Sequence, residues 1–396
     1  MRIAFFTDTY LPEINGVANT LSRLGNYLDR SRIHQLVIAP EYEERNIFSG
    51  SMYREVYRFR GITTSLSPKS RLAMPAHWDI NRICDDFMPD LIHVTTEMGI
   101  GFRGMRYAES RGIPLVMSYH TDYYKYLKYH NLDFLRPFVE SYLAWFYSLS
   151  CRTLVPSRCT LEELSQMGYR NLDIWSRGID SSKFSPEFRN EELRRTIADG
   201  KFIFLYVGRL SAEKSLDLLL YAACELENHF PGRTAFIFTG DGPYAETIKN
   251  INLPNVILTG FKQGRELSEI YASADCFAFP SATETFGNVA LEALASGLPV
   301  ISVSGGGVTD YLIHNNNALL CTPEAAADFT NNLVSVMENS ELRTQLSINA
   351  RKTALSRDWD HIFDGLVDIY AQAIDKDHEQ DTTHKRKHAI QAKAAC

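Results

Sequence analysis

Two carboxylates and a glycine stand in one short stretch at a spacing that suits a phosphate-bearing sugar ligand. Glu284 and Glu292 lie eight residues apart, with Phe286-Gly287-Asn288 between them. The stretch follows a buried strand pattern, Cys276–Phe279, and leads into a helical one. Gly287 allows a close backbone approach where the free N–H groups of a helix start favour a phosphate, and glutamate accepts hydrogen bonds from sugar hydroxyls. A capped helix with a solvated glutamate is the ordinary interpretation of such a pair, but the Glu-x-Phe-Gly context after a strand favours a ligand site.

A pair of basic residues follows a second strand pattern. Arg209 and Lys214 are five residues apart, in a loop between the apolar run Lys201–Val207 and the helical pattern Leu216–Leu226. Two such cations can converge on a diphosphate and offset the charge that builds on a departing nucleotide. Surface charge, with Lys214 paired to its neighbour Glu213, explains the motif equally well when it is taken alone.

Three weaker motifs also come directly after strand patterns, at the sheet edge where open α/β proteins bind ligands. They are Gly240-Asp241-Gly242-Pro243, His120 within Ser118-Tyr119-His120-Thr121-Asp122, and Gly16 within Asn15-Gly16-Val17. An ordinary turn is the simpler interpretation of the first, and a structural histidine that of the second. Gly16 would allow close approach of a phosphate.

Composition places the chain among ordinary globular proteins of two domains. It has 396 residues, 45% hydrophobic and 22% charged, with a net charge of −7, which argues against a nucleic-acid partner. Its 7 cysteines are scattered and suggest reduced thiols. The N-terminal sequence does not have the pattern of a signal peptide, and no apolar run reaches the ~18 residues that a membrane-spanning helix needs. No His or Cys spacing suggests a metal site, no Asp-x-Asp stands at the end of a strand pattern, and no Gly-x-Ser-x-Gly hydrolase signature occurs.

The elements that must position these residues form two similar series. Strand and helix patterns alternate, which predicts two parallel sheets wound with helices. A linker is expected near Gly178–Asn190, and an amphipathic helix at Trp359–Ile374. From Asp377 onward the chain is polar without an apolar period, so we expect a disordered tail. The expected strands are Arg2–Thr7, Gln35–Ala39, Asp90–Val94, Pro114–Tyr119, Arg152–Pro156, Lys201–Val207, Ala235–Thr239, Val256–Thr259, Cys276–Phe279 and Val300–Val303.

Taken together, these motifs resemble retaining glycosyltransferase family 4, over about residues 1–375. The resemblance rests on Gly208-Arg209…Lys214, Gly240-Asp241-Gly242-Pro243, Glu284…Glu292 and Ala295-Ser296-Gly297-Leu298-Pro299-Val300. Thr7-Asp8-Thr9-Tyr10-Leu11-Pro12-Glu13-Ile14-Asn15-Gly16-Val17, Tyr119-His120-Thr121-Asp122 and Thr153-Leu154-Val155-Pro156-Ser157 resemble the subgroup of GDP-mannose-dependent mannosyltransferases and sulfoquinovosyl-diacylglycerol synthases. A single Gly16 stands where the family usually has two glycines.

The resemblance implies an α/β protein of the GT-B fold: two doubly wound Rossmann-like domains facing a cleft, with a C-terminal helix crossing back to the first. The implied divisions are an acceptor-side domain at 1–180, a donor-binding domain at 181–356, the crossover helix at 357–376 and the tail at 377–396. The expected activity is transfer of a mannose- or glucose-type hexosyl group, with retention, from a nucleotide-diphosphate sugar to a lipid or glycan. A nucleotide-sugar epimerase or hydrolase of the same fold, and a non-catalytic nucleotide-sugar binding protein, are the alternatives.

The resemblance also implies roles for single residues. Arg209 and Lys214 would hold the donor diphosphate, while Glu284 and the backbone of Phe286, Gly287 and Asn288 would hold the donor sugar. Glu292 would bind the ribose, His120 would contact the sugar from the first domain, and Gly16 would admit the phosphates. Backbone near Gly260-Phe261-Lys262 would meet the base, and Gly240 and Gly242 would line the donor site. Glu284, His120, Arg209 and Lys214 are the catalytic candidates. No metal or other cofactor is expected beyond the GDP- or UDP-linked donor, and the expected location is cytoplasmic, peripheral at the inner face of the membrane.

One further stretch, Tyr123–Cys151, is rich in aromatic residues and also carries Lys125, Lys128 and Arg136. An acceptor groove facing a lipid surface would have this composition. A helix packed on the domain core would have it too, and aromatics at helical spacing favour the core.

Overall fold

The computed structural model describes residues 1–13, 15–42, 51–64, 67–120, 127, 133–323 and 325–394, with side chains left out at 64–70 and 377–394. Ile14, Thr121 and Asp122 of the motifs above, and the aromatic residues at 123–126 and 129, lie outside the described residues. No described helix is both long and apolar enough to cross a membrane.

The first half of the chain builds a seven-stranded sheet in the order β3-β2-β1-β6-β7-β8-β9, in which every neighbouring pair is parallel. β4 and β5 form a separate antiparallel hairpin. The strands are β1 (Arg2–Phe6), β2 (His34–Pro40), β3 (Arg54–Phe59), β4 (Gly61–Thr64), β5 (Ser67–Ala73), β6 (Leu91–Val94), β7 (Leu115–Ser118), β8 (Arg152–Val155) and β9 (Leu172–Ile174).

The second half builds a six-stranded parallel sheet in the order β12-β11-β10-β13-β14-β15. In both sheets the chain reverses its direction of winding beside the first strand of the half, which opens a crevice at the carboxyl ends of the strands. The strands are β10 (Phe202–Val207), β11 (Thr234–Thr239), β12 (Val256–Gly260), β13 (Cys276–Phe279), β14 (Val300–Val303) and β15 (Ala318–Cys321).

Helices connect the strands of both sheets. Helix α1 shows why: Leu21, Leu24 and Leu28 recur at helical spacing and are all buried, and the Asn15 side chain caps the first turn by accepting from the Ala18 N–H at 2.9 Å. The helices are α1 (Gly16–Arg30), α2 (His77–Phe87), α3 (Gly99–Arg111), α4 (Arg136–Ser148), α5 (Arg158–Gln166), α6 (Glu191–Ala198), α7 (Leu216–His229), α8 (Ala245–Ile251), α9 (Gly264–Ser273), α10 (Asn288–Ala295), α11 (Ala326–Glu338), α12 (Ser340–Leu355) and α13 (Trp359–Ala394).

Helix α13 returns to the first half, as expected for the crossover helix. Its residues Phe363, Leu366 and Tyr370 are buried in one cluster with Ile3 and Phe5 of β1. Burying a Phe or Leu side chain contributes roughly 1.5–3 kcal/mol, so this contact ties the end of the chain firmly to the first sheet. The domain limits at 180 and 356 stay a prediction.

The C-terminal end differs from the sequence expectation. The backbone of α13 continues as helix to Ala394, where the polar composition from Asp377 predicted disorder. Residues 377–394 contain neither Gly nor Pro and are rich in good helix formers. These residues are therefore compatible with a continued helix, although no apolar stripe marks it in the sequence.

Candidate active site

A cleft of about 450 Å³ lies between the two halves of the protein. It is formed at the carboxyl ends of strands, so residues far apart in sequence meet there. The second half contributes Glu284, Thr285, Phe286, Gly287 and Asn288. The first half contributes Asp8, Thr9, Glu13, Asn15, Gly16, Val17, Thr95, Thr96, Glu97, Met98, His120, Pro156 and Arg177.

The start of helix α10 faces this cleft. Gly287, directly before the helix, has φ +84, and a Cβ there would lie 2.5 Å from Cγ1 of Val308, so only glycine fits. The hydroxyl of buried Tyr311 donates to the Gly287 carbonyl oxygen at 2.6 Å, which fixes the turn. The exposed Asn288 lies opposite Gly16, where an added Cβ would be 3.6 Å from the Asn288 Nδ2. Two helix starts, α10 and α1, thus lie on opposite sides of one cleft, where helix N–H groups attract anions.

Two of the catalytic candidates contact each other directly. The Lys214 Nζ donates to Oε1 of Glu284 at 2.6 Å, and the Ser281 hydroxyl donates to the same oxygen at 3.1 Å. Both charged side chains are only about one-fifth exposed, 20% and 18%. Sequence spacing did not predict this ion pair, because Lys214 and Glu284 belong to loops after different strands. The pair places one cation and one anion side by side beside the α10 start.

Arg209 lies in the same loop as Lys214 but is exposed, and it does not line the cleft. Its carbonyl oxygen accepts from the Tyr206 hydroxyl at 3.0 Å, which anchors the backbone and leaves the guanidinium to solvent. A long flexible arginine with a fixed backbone can swing onto a phosphate when one binds. The role in diphosphate binding stays a prediction.

The glycines of the Gly240-Asp241-Gly242 turn hold the Arg209 loop in place. Their φ angles are +147 and +155, and added Cβ atoms would lie 1.9 Å from the Gly208 oxygen and 2.2 Å from the Leu210 oxygen. The Leu210 N–H donates to the Asp241 oxygen at 2.9 Å. Close packing of two backbones explains both glycines, so this structure gives them a supporting function, and direct donor contact stays a prediction.

His120 lies in the cleft from the first half. Its Nδ1 lies 2.9 Å from a terminal nitrogen of Arg177, and its ring meets that of Trp175 edge-on at 5.8 Å. Burial, the Arg177 charge and His93 together hold the pKa of His120 well below its ordinary value. Arg177 was not recognised from the sequence. The signal was its position just after β9, but β9 is only three residues long and was not identified as a strand.

Glu292 and Phe261 lie apart from the cleft lining. The carboxylate of Glu292 accepts from the Tyr271 hydroxyl at 3.0 Å, and burial raises its pKa to about 7. Phe261 follows β12 and is 61% exposed. Their roles at ribose and base stay predictions.

Two buried carboxylates of the first half were also missed. Asp8 accepts from the Ile100 N–H at 2.8 Å and the Thr96 hydroxyl at 2.7 Å, so it caps helix α3; burial raises its pKa, and these hydrogen bonds oppose the rise. Glu97 accepts from the Tyr147 hydroxyl. The sequence signal for Asp8 was its position two residues after β1. In the part of the chain described, no group of three or more His, Cys, Asp or Glu residues is arranged to hold a metal ion.

Comparison with known proteins agrees with this architecture. A model of the family described as "Glycosyltransferase Family 4" matches residues 14–183, and a model of "Glycosyl transferases group 1" matches residues 188–353. A GDP-mannose-dependent alpha-mannosyltransferase of Mycobacterium tuberculosis (strain CDC 1551 / Oshkosh) is 31% identical, over 93% of this chain and 96% of that protein. Sulfoquinovosyl transferase SQD2 of Arabidopsis thaliana is 32% identical, over 90% of this chain and 71% of that protein.

Among solved structures, sucrose-phosphate synthase (tll1590) from Thermosynechococcus elongatus superposes with a TM-score of 0.77 at 19% identity, covering 94% of this chain and 98% of that one. This likeness concerns the fold, which is GT-B, as expected from the sequence. The two facing sheets, the cleft between them and the family matches over both halves lead to one conclusion: the chain belongs to glycosyltransferase family 4 and is a nucleotide-sugar glycosyltransferase.

Proposed function

We propose that the protein transfers a mannosyl group from GDP-mannose to a lipid acceptor, with retention of anomeric configuration and without a metal ion. The observation that carries this proposal is the convergence, in one cleft, of the α10 helix start and the Glu284–Lys214 pair from one half with His120 and Gly16 from the other. This set offers phosphate binding and sugar binding next to each other. The similarity to a GDP-mannose-dependent enzyme supports the donor.

In this proposal the second half holds most of the donor, and the first half adds a contact to the sugar. The free N–H groups at the start of α10, with Arg209 and Lys214, bind the diphosphate. Glu284 accepts hydrogen bonds from hydroxyls of the sugar, and His120 contacts the sugar from the opposite side. Glu292 lies about one turn inside α10 and binds the ribose.

Transfer then proceeds by front-face displacement. The bond from the anomeric carbon to the diphosphate oxygen breaks, and its electron pair leaves with the nucleoside diphosphate. The acceptor hydroxyl oxygen forms its bond on the same face, and its proton passes to the departing phosphate oxygen. Arg209, Lys214 and the helix N–H groups stabilise the charge of the leaving group, which is the part of the reaction that needs most help from the protein.

A lipid acceptor is supported by the surface of the first half. Helix α4 buries Leu143 and Phe146, as expected for a core helix, but Phe138 on another face is 74% exposed and Phe134 just before it is 71% exposed. Exposed aromatics next to Arg136 suit the interface of a membrane. We therefore propose peripheral contact with the inner face of the membrane through this end of α4.

The membrane contact is tested by co-sedimentation with vesicles that contain anionic phospholipid. We expect Phe134→Ser with Phe138→Ser to reduce the bound fraction severalfold, because two apolar anchors are lost. Tyr221→Ser is the matched control, since Tyr221 is a 48% exposed aromatic in the second half. Equal binding of all three proteins would contradict the assignment of this surface.

The donor is tested by thermal unfolding with a panel of nucleotides and nucleotide sugars. A ligand at 100 times its Kd stabilises the native state by about 2.7 kcal/mol. We expect GDP and GDP-mannose to raise Tm more than UDP and UDP-glucose at equal concentration. Stabilisation by UDP compounds alone would replace the mannosyl proposal with a glucosyl or sulfoquinovosyl one.

The ribose role of Glu292 predicts a pH dependence of nucleotide affinity. Ribose hydroxyls donate to an ionised carboxylate, and a pKa of about 7 means that Glu292 is mostly protonated at pH 6 and mostly ionised at pH 8. Affinity for GDP should therefore rise by about tenfold from pH 6 to pH 8, one decade per unit below the pKa. The affinity of Glu292→Gln for GDP, measured by calorimetry at the same pH values, should lack this tenfold rise. Any pH dependence that comes from the phosphates of GDP should remain. An unchanged pH dependence in Glu292→Gln would exclude the role.

A further inference from the structure

Arg177 is a buried cation that lines the cleft next to His120. It is 5% exposed and forms no ion pair with a carboxylate in the described part of the chain. Its guanidinium instead donates to the carbonyl oxygens of Trp175 at 2.6 Å and Ser176 at 3.1 Å, and it lies 4.7 Å from the centre of the Trp175 ring. Burial lowers its pKa to about 10, so the group stays protonated at neutral pH. These contacts hold the guanidinium rigidly, with one terminal nitrogen facing Nδ1 of His120.

The contact between the two side chains determines where the imidazole proton lies. A guanidinium can only donate hydrogen bonds, so the His120 Nδ1, 2.9 Å away, must accept. An Nδ1 that accepts carries no proton, and a neutral ring then carries its proton on Nε2. The cationic ring, with protons on both nitrogens, is incompatible with this contact.

The resulting Nε2–H is a buried donor that needs an acceptor. Nε2 is buried and has no hydrogen-bond partner among the described residues, and His120 lines the cleft. An unsatisfied buried donor costs about 1–3 kcal/mol. A ligand oxygen that accepts from Nε2–H recovers this free energy, and the hydroxyl and ring oxygens of a sugar are acceptors of that kind.

We propose that Arg177 is a positioning residue that fixes His120 as the neutral Nε2–H tautomer and so makes the ring an obligate hydrogen-bond donor to an oxygen of the bound sugar. The part concerning the sugar rests on the proposed function; the tautomer does not. His120 then neither gives up nor takes a proton during transfer. Its Nε2–H group is a preorganised hydrogen-bond donor, already in place before the sugar binds.

The surroundings of His120 agree with a ring that does not titrate. Arg177, just after β9, and His93 of β6 face it, and burial and the Arg177 charge keep the pKa of His93 itself down at about 3. The carboxylates of Asp8 and Glu97 line the same half of the cleft as His120, and that of Glu284 lines the other half. Burial, the Arg177 charge and His93 hold the pKa of His120 well below its ordinary value. Loss of Arg177 removes the main opposing charge and frees Nδ1.

The test is ¹⁵N NMR of histidine-labelled, ligand-free protein from pH 5 to pH 8. The chain has 11 histidines, and His120→Gln identifies the signals of His120 by their absence. In the wild-type protein we expect a protonated Nε2, an unprotonated Nδ1 and no titration over this range. A protonated Nδ1, or a midpoint near 6.5, would overturn the proposal without any variant of Arg177.

Variants of Arg177 provide the second arm. Arg177→Met should mix the tautomers of His120, because Nδ1 no longer faces a cationic donor, while Arg177→Lys, which keeps a cationic donor, should restore the Nε2–H tautomer at least in part. Arg233→Met is the control, because Arg233 is an exposed partner of Glu338 in the second half. Unchanged His120 signals in folded Arg177→Met would overturn the proposal.

Transfer kinetics separate this inference from the proposed function. If the enzyme is active, kcat of Arg177→Met should fall by about tenfold or more with little change in KM for the donor, and Arg177→Lys should recover part of this loss. Equal losses of kcat in Arg177→Met and Arg177→Lys would contradict the tautomer mechanism. Absence of transfer by the wild-type protein would contradict the proposed function. The NMR measurement would still test the tautomer of His120, because it does not depend on activity.

Discussion

Replacement of Glu284 by Gln is expected to lower kcat/KM for the nucleotide sugar by about 10²-fold or more. The carboxylate is held by Lys214 and Ser281 and is only 18% exposed, so the proposed hydrogen bonds to sugar hydroxyls would form in a mostly water-excluded site. Removal of one preorganised polar group that stabilises a transition state costs about 10²–10³ in rate. Gln keeps the shape and loses the charge, so the variant should remain folded.

The Lys214–Glu284 contact makes a sharper test in a double-mutant cycle. Lys214→Met should cause a loss of similar size, because it removes a cation from the leaving group and leaves Glu284 without its partner. Residues in one ion pair couple by about 0.5–3 kcal/mol, so the double variant should lose less than the product of the single losses. If the loss of kcat/KM in the double variant equals the product of the two single losses, the two side chains act independently. That result would contradict a functional ion pair at the start of α10.

The chain offers a matched control for this cycle. Lys249 and Glu246 also form an ion pair of 2.6 Å, but they are 57% and 73% exposed and lie on helix α8. Exposed pairs contribute about 0–1 kcal/mol, so Glu246→Gln with Lys249→Met should leave both stability and transfer close to the wild-type values. A comparable loss in this control would show that charge removal alone, rather than the site, causes the effect.

Gly240→Ala is expected to destabilise the protein by about 3 kcal/mol or more, the largest effect on stability that we predict. At φ +147 the backbone lies in a region that only glycine adopts readily, which costs roughly 1–3 kcal/mol for alanine. The added Cβ would also lie 1.9 Å from the Gly208 carbonyl oxygen, a collision with backbone that no rotamer change relieves. The loop that carries Arg209 must therefore move, and nucleotide affinity should fall with stability.

Gly232→Ala separates the collision from the loss of a glycine. Gly232 also has a positive φ, +71, but an added Cβ would meet nothing within 4 Å. Its replacement should cost only about 1–2 kcal/mol for the left-handed conformation and leave nucleotide binding unchanged. Denaturant unfolding and calorimetry with GDP measure both quantities. If both variants lost the same stability and the same GDP affinity, close packing of the two loops could not be the reason why position 240 requires glycine.

The elements with strong apolar patterns were predictable from the sequence. Cys276–Phe279 and Val300–Val303 are strands with the expected bounds, because fully buried central strands are continuous apolar runs. Strand β3 was not identified. Its residues alternate buried or half-buried with exposed positions and include the buried Arg54, which pairs with Asp29 of α1. An edge strand stabilised by a buried ion pair gives little apolar signal.

Within the site, residue types were predictable and their contacts were not. Glu284 and Lys214 were each recognised by their position after a strand, but their ion pair depends on β10 lying next to β13 in the sheet, which sequence order does not determine. Arg177 was not identified at all, because the strand before it, β9, has only three residues. It reaches His120 because β9 follows β8 and β7 across the first sheet. Local pattern therefore predicts which side chains stand at strand ends, and sheet order decides which of them meet.

The most direct test of the central claim is transfer itself, measured with GDP-mannose and diacylglycerol-type acceptors in mixed vesicles, in the presence of EDTA. We predict a glycolipid product that carries one added hexose by mass, with the same anomeric configuration as the donor by NMR and a rate that EDTA does not change. Release of free sugar without a glycolipid, an inverted anomeric configuration, or turnover that stops with EDTA would each contradict the account.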